Sequence, residues 1–213
     1  MAKIYLLNNQ KFDGVENLEI FKVQSLKFDL DLTSYDALVF TSKSAIYALE
    51  DNKVNWKSIP SYLIAPATAN IANEFGANIA FIGSSGHGNE FAKELIPHLK
   101  DKKVLYVKAK ITVSNLPNIL RENEIDIDEL VSYETVCNKN LKHIELEDDS
   151  IIIFTSPSSV KCFFNKFSWN SSYKAIVIGK TTATYLPKEI KNYQISSSTS
   201  VKDCVTLALS NFN

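Results

Sequence analysis

A strand-like stretch recurs in this chain at a fixed spacing. Asp36-Ala37-Leu38-Val39-Phe40-Thr41-Ser42-Lys43-Ser44-Ala45 resembles Ser150-Ile151-Ile152-Ile153-Phe154-Thr155-Ser156-Pro157-Ser158-Ser159, and Phe40 and Phe154 stand 114 residues apart. Ile64-Ala65-Pro66-Ala67-Thr68-Ala69 resembles Ile178-Gly179-Lys180-Thr181-Thr182-Ala183 at the same spacing of 114. That spacing far exceeds the period of a solenoid repeat. It predicts two similar domains, and a length of 213 residues accommodates two small ones.

The pattern around the repeats is α/β. Short apolar runs predict strands at 3–7, 37–41, 62–65, 79–82, 104–107, 151–155, 175–178 and 193–196. Several are apolar throughout, as strands covered on both faces of a parallel sheet must be. Helical patterns fall between them, at 44–51, 68–75, 89–99, 114–123, 158–167, 181–186 and 201–211. Two further segments, 20–28 and 128–136, alternate apolar and polar residues and predict half-exposed strands rather than sheet centres.

Composition narrows the function classes. Hydrophobic content of 45% and charged content of 22% are those of an ordinary globular protein. The formal net charge is −1, so a general nucleic-acid binder is disfavoured. Arg121 is the only arginine, and the remaining cations are lysines, which lack the bidentate fork. No apolar run is long enough for a membrane helix, and the N-terminal run is too short for a signal peptide. Cys137, Cys162 and Cys204 form no CxxC pair and suggest neither a disulfide framework nor a zinc site. His87, His98 and His143 show no metal-ligand spacing. A reducing cytoplasm and no metal are expected.

The chemistry-bearing residues are hydroxyls at strand-to-helix junctions. Thr41/Ser42, Thr68, Ser156 and Thr181/Thr182 all fall at carboxyl ends of expected strands, where ligands bind in open α/β sheets. Such side chains cap helices, which is their commoner use. They also join backbone N–H groups in holding an anion. Lys108 and Lys110 follow the 104–107 strand, as solvated surface charge or as neutralisers of an anion. Gly83-Ser84-Ser85-Gly86-His87-Gly88-Asn89 fits neither dinucleotide nor P-loop pattern. It reads as a flexible connection with Asn89 near the helix cap and His87 as a solvated loop residue. Tyr133 lies in the 128–136 strand, where packing is the usual role. No GxSxG element or other nucleophile constellation occurs.

At these residues the chain resembles the uroporphyrinogen-III synthase family. An FTSxxA-like element (40–45), a GxxTA-like element (65–69), a VYxT-like strand (132–135), an FTSPS element (154–158) and an IGxTTA element (178–183) appear in family order across nearly the whole chain. Lys43 and Lys180 stand where the family commonly has proline, and Ala65 where it has glycine. The resemblance implies two similar flavodoxin-like parallel-sheet α/β domains around a cleft. One would be discontinuous, 1–22 plus 137–213. The other, 29–128, would be inserted through linker strands 23–28 and 129–136.

The resemblance further implies an enzyme that cyclises hydroxymethylbilane to uroporphyrinogen III with inversion of the terminal pyrrole ring, in haem biosynthesis. It implies no cofactor and a cytoplasmic monomer with a small-molecule substrate. Thr41, Ser42, Thr68, Ser156, Thr181, Thr182 and Lys108 would bind substrate, and Tyr133 would assist departure of the terminal hydroxyl. The rival reading is a non-enzymatic two-domain binding module for a small polyanion, in which Tyr133 is packing.

Overall fold

The computed structural model describes residues 2–141, 144–198 and 200–211, so His143 lies outside the described residues. In chain order the strands are β1 (Ile4–Leu6), β2 (Glu16–Asn17), β3 (Phe21–Ser25), β4 (Ala37–Phe40), β5 (Ser61–Leu63), β6 (Ile79–Ile82), β7 (Lys103–Ala109), β8 (Asp126–Cys137), β9 (Ile151–Phe154), β10 (Lys174–Val177) and β11 (Tyr193–Ile195). The helices are α1 (Lys43–Asp51), α2 (Pro66–Glu74), α3 (Gly88–Leu99), α4 (Leu116–Glu122), α5 (Pro157–Phe164), α6 (Lys180–Ala183) and α7 (Val201–Ser210). The chain forms two compact units, Met1–Lys22 with Val136–Asn213, and Val23–Thr135. It passes from one to the other within β3 and returns within β8.

The discontinuous unit carries a parallel sheet ordered β11-β10-β9-β1-β2. In its own chain order this is 2-1-3-4-5, the flavodoxin arrangement. The continuous unit carries the order β3-β8-β7-β4-β5-β6, parallel from β8 to β6. Its five parallel strands run 3-2-1-4-5 in their own chain order when β8 is counted last of the five by position, as the neighbour of β7. The spatial plan of the two sheets is the same. β9, β10 and β11 match β4, β5 and β6 at the repeat spacing, and β1 and β2 occupy the places that β7 and β8 take. The discontinuous unit is therefore the same sheet entered at a different strand.

Each central strand is buried on both faces, and alternate side chains enter different cores. In β9, Ile152 and Phe154 pack with Val160 and Phe163 of α5, whereas Ile151 and Ile153 pack with Cys204, Val205 and Ala208 of α7. In β4, Leu38 and Phe40 pack with Ala45, Ile46 and Leu49 of α1, whereas Ala37 and Val39 pack with Phe91 and Leu95 of α3. This two-sided burial is why the strand stretches read as continuous apolar runs.

Several expectations need correction. The two-residue β2 is polar, and no apolar run marks it in the sequence. Of the two alternating segments, β3 is an edge strand, but β8 runs inside the sheet between β3 and β7. Its polar positions suit that place because cations pair them: Lys103 with Asp128, Lys108 with Glu129 and Lys110 with Glu134. Helix α3 starts at Gly88 with His87 at the cap, and Asn89 lies near the cap as expected, its Oδ1 accepting the N–H of Asn115 at 2.7 Å. Cys137 and Cys162 form a disulfide, with Cα atoms 5.1 Å apart, against the expectation of no disulfide. The end of β8 meets α5 in the folded unit, a juxtaposition that spacing along the chain does not reveal. Cys204 is free and buried.

Tyr5 is fully buried in the core beneath α5, and its hydroxyl has no hydrogen-bond partner among the described residues. A buried unpaired hydroxyl costs about 1–3 kcal/mol. Tyr5→Phe should therefore raise the urea midpoint of unfolding with an unchanged m-value. A lower midpoint would mean that the hydroxyl has a partner in solution.

Candidate functional site

The hydroxyl-bearing junctions form because a buried parallel strand must hand its chain to a covering helix at the carboxyl edge. In the continuous unit, β4 ends at Phe40 and Ser42 caps α1, its side chain accepting from the Ser44 N–H at 3.2 Å. In the discontinuous unit, β9 ends at Phe154 and Ser156 caps α5. There Ser156 accepts from the Ser159 N–H at 3.0 Å while Ser159 Oγ accepts from the Ser156 N–H at 3.1 Å. Both serines thus cap helices, the commoner role. A hydroxyl that accepts at its lone pair keeps its own proton, so capping leaves a donor for an anion.

The second junction of each unit is different. Ala65 precedes α2 and Gly179 precedes α6, and neither supplies a side-chain cap. Thr68 and Thr182, matched at the repeat spacing, are 7% and 3% exposed. Neither hydroxyl makes a hydrogen bond among the described residues, and neither is one of the sealed unpaired atoms, which are Tyr5 Oη and Ser196 Oγ. Each is therefore an unpartnered hydroxyl in the first turn of a helix. Thr181, beside Thr182, is exposed.

Thr41 is half-buried and lies 2.8 Å from the phenol oxygen of Tyr106, a partner that sequence reasoning did not supply. Tyr133 is 9% exposed, its ring packed in the core that contains Phe40 and Val107. Its hydroxyl has no hydrogen-bond partner among the described residues and is not sealed. The ring is anchored as packing demands, and the oxygen is left without a partner.

Two exposed lysines sit at the same helix starts, Lys43 in α1 and Lys180 in α6, and neither is in an ion pair with a described residue. The signal for them lay in the sequence, in the two positions where lysine stands in place of the family's proline. Cavities open elsewhere. Those lined by Glu145, Lys166 and Tyr173, and by Asp29, Lys53 and Ile59, are bordered by residues that precede strands and so lie at amino ends. Among the described residues no three His, Cys, Asp or Glu side chains cluster as a metal site, and no helix is long and apolar enough to cross a membrane.

Lys108 is held inside the protein's own charge network. Its ammonium lies 2.6 Å from Glu129, which Arg121 also contacts at 2.8 Å. Burial opposes ionisation of Glu129, but hydrogen bonds from Lys108 and Arg121 outweigh it and hold the carboxyl below its ordinary range. A depressed folded pKa gives stability that is present above the unfolded value and lost as pH falls through the folded one. Glu129→Gln should lower the denaturation midpoint at pH 7, and the gap to wild type should close below about pH 4. A gap independent of pH would assign Glu129 to packing.

Comparison with known proteins shows the family. The family model described as Uroporphyrinogen-III synthase HemD matches residues 18–206. The crystal structure of uroporphyrinogen-III synthetase from Helicobacter pylori 26695 is 32% identical with a TM-score of 0.70, over 99% of this chain and 100% of that one. A mutant uroporphyrinogen III synthase from the extremely thermophilic bacterium Thermus thermophilus is 14% identical with a TM-score of 0.49, over 99% and 100%. No curated protein matches significantly. With a family match over most of its length and a solved relative over all of it, the chain belongs to the uroporphyrinogen-III synthase family.

Proposed function

We propose that the hydroxyl-bearing strand ends of both units bind the carboxylates of a linear tetrapyrrole. The chain is a uroporphyrinogen-III synthase, a lyase that closes hydroxymethylbilane to uroporphyrinogen III in tetrapyrrole biosynthesis. The substrate bears many acetate and propionate groups, whereas the protein has a net charge of −1. Binding therefore rests on local donors. First-turn N–H groups and hydroxyls present partial positive charge without bulk cations. The observation that carries this reading is the matched pair Thr68 and Thr182, buried at helix starts with hydroxyls that no described residue engages. Thr41 and Ser42 extend the site in the unit of Thr68, and Ser156 and Thr181 extend it in the unit of Thr182, with Lys43 and Lys180 adding charge at the helix starts. Lys108, already paired with Glu129, acts by fixing β7 against β8.

The chemistry asks little of a general base. Departure of the terminal hydroxyl leaves an electrophilic azafulvene, a spiro intermediate fragments, and the ring recloses with the last pyrrole inverted. The protein must assist the departing oxygen, fold the chain and suppress direct closure to the type I isomer. Holding the two ends together is the proximity part of catalysis. In this reading Tyr133 donates to the departing oxygen, its ring fixed by the core around Phe40. The enzyme works as a cytoplasmic monomer on a diffusing substrate.

Freshly generated hydroxymethylbilane tests the reading. With the protein the product should be predominantly uroporphyrinogen III, and without it the type I isomer. An unchanged isomer ratio would leave a binding module. Thr68→Val and Thr182→Val should each weaken uroporphyrinogen III binding by about tenfold in calorimetry, the worth of one hydrogen bond to a charged group, with melting temperature nearly intact. Unchanged affinity in both would remove the hydroxyls from the site. Tyr133→Phe should lower kcat about 10²-fold while the product stays type III. Full turnover would return Tyr133 to packing.

A further inference from the structure

The carboxyl end of β4 holds a contact that the binding scheme does not use. Tyr106, on β7, is fully buried, and its phenol oxygen lies 2.8 Å from Thr41 Oγ1. Ser114, in the loop after β7, is a second hydroxyl near this phenol. That loop is fixed from the other side. A Cβ on Gly88 would stand 2.6 Å from Ser114 Oγ, so the start of α3 must be glycine for Ser114 to sit there.

The other repeat is built differently at the matched position. Thr155 stands 114 residues from Thr41. Its hydroxyl donates to the main-chain carbonyl of Leu7 at 3.0 Å. In strand register, Tyr106 lies opposite Val39 and Leu6 lies opposite Ile153, so leucine takes the place of the tyrosine.

A threonine hydroxyl has one proton. A carbonyl can only accept, so the proton of Thr155 is committed to Leu7 and its remaining lone pairs cannot bind a carboxylate. A phenol can donate. With Tyr106 donating to Thr41 Oγ1, Thr41 keeps its own proton for an anion. Burial pushes the phenol pKa up, against the hydrogen bond with Thr41, so the donor proton is retained.

We infer that Tyr106 is a positioning residue that makes Thr41 a directed donor to a substrate carboxylate, so that the two matched threonines act unequally: the Thr41 hydroxyl takes a carboxylate and the Thr155 hydroxyl does not. The inference rests on the tetrapyrrole reading above and names which of the two threonines carries it.

A double-mutant cycle on the full chain tests it, with uroporphyrinogen III binding read anaerobically by calorimetry and turnover of hydroxymethylbilane read alongside. Thr41→Val should weaken binding about tenfold. Tyr106→Phe should weaken it about threefold, and the double variant should lose no more than Thr41→Val alone. Tyr106→Phe should raise KM with kcat unchanged, Thr41→Ser should restore affinity, and Thr155→Val should bind like wild type. Losses that multiply in the double variant, or wild-type affinity in Tyr106→Phe, overturn the inference while turnover by wild type keeps the enzyme reading. Wild-type protein that neither binds nor turns over overturns both. Should Tyr106→Phe not fold, tyrosine labelled at Cζ gives the same answer in otherwise unaltered protein. The Tyr106 resonance should move on adding uroporphyrinogen III in wild type and stay still in Thr41→Val. A resonance that stays still in wild type overturns the inference.

Discussion

Burial of β4 and β9 on both faces is the constraint from which the rest follows. A parallel strand covered by helices above and below must be apolar at every position, and Leu38/Phe40 and Ile152/Phe154 enter one core while their neighbours enter another. Such a strand has nowhere to put polar groups except beyond its carboxyl end. There the chain turns into a helix whose first N–H groups need partners. The Thr-Ser pairs after Phe40 and Phe154 are the consequence, and the ligand chemistry grows from that structural need. Ser42 and Ser156 meet it by capping. Thr68 and Thr182 do not cap, which is why their hydroxyls remain open to a ligand.

A polyanion can be bound by charge or by dipoles, and the proposed site relies mainly on dipoles. Several cations that could have met the carboxylates are engaged at home. Lys103, Lys108, Lys110 and Arg121 neutralise the acidic side chains of β8 and let that strand run inside a sheet. Lys43 and Lys180 are not engaged in that way. Helix N-termini repel a cation weakly. Lysine at two of them, without a carboxylate partner among the described residues, suits a site whose anion arrives from outside.

The fold was largely legible because two-sided burial writes itself as unbroken apolar runs, and because the repeat was preserved around Phe40 and Phe154. The 79–82 strand coincides with β6, and most other elements agree within two residues at each end. What could not be read depended on contacts between distant segments. The Cys137–Cys162 bridge, the pairing of Lys108 with Glu129 and the approach of Tyr106 to Thr41 join residues that spacing alone never links. The interior position of β8 was hidden because its charges imitate an exposed strand. The shared sheet plan of the two units also needed the structure, since β1 and β2 lie outside the repeat in sequence yet complete the second copy in space.

The central proposal is that helix starts of each repeat engage carboxylates of a polyanionic ligand. Amide hydrogen exchange with and without uroporphyrinogen III reads those backbone groups directly. Protection should appear at the first turns of α1 and α2 and also at those of α5 and α6, with little change at the amino-end cavities around Tyr173 and Ile59. Protection confined to one unit, or centred on those cavities, would contradict the account.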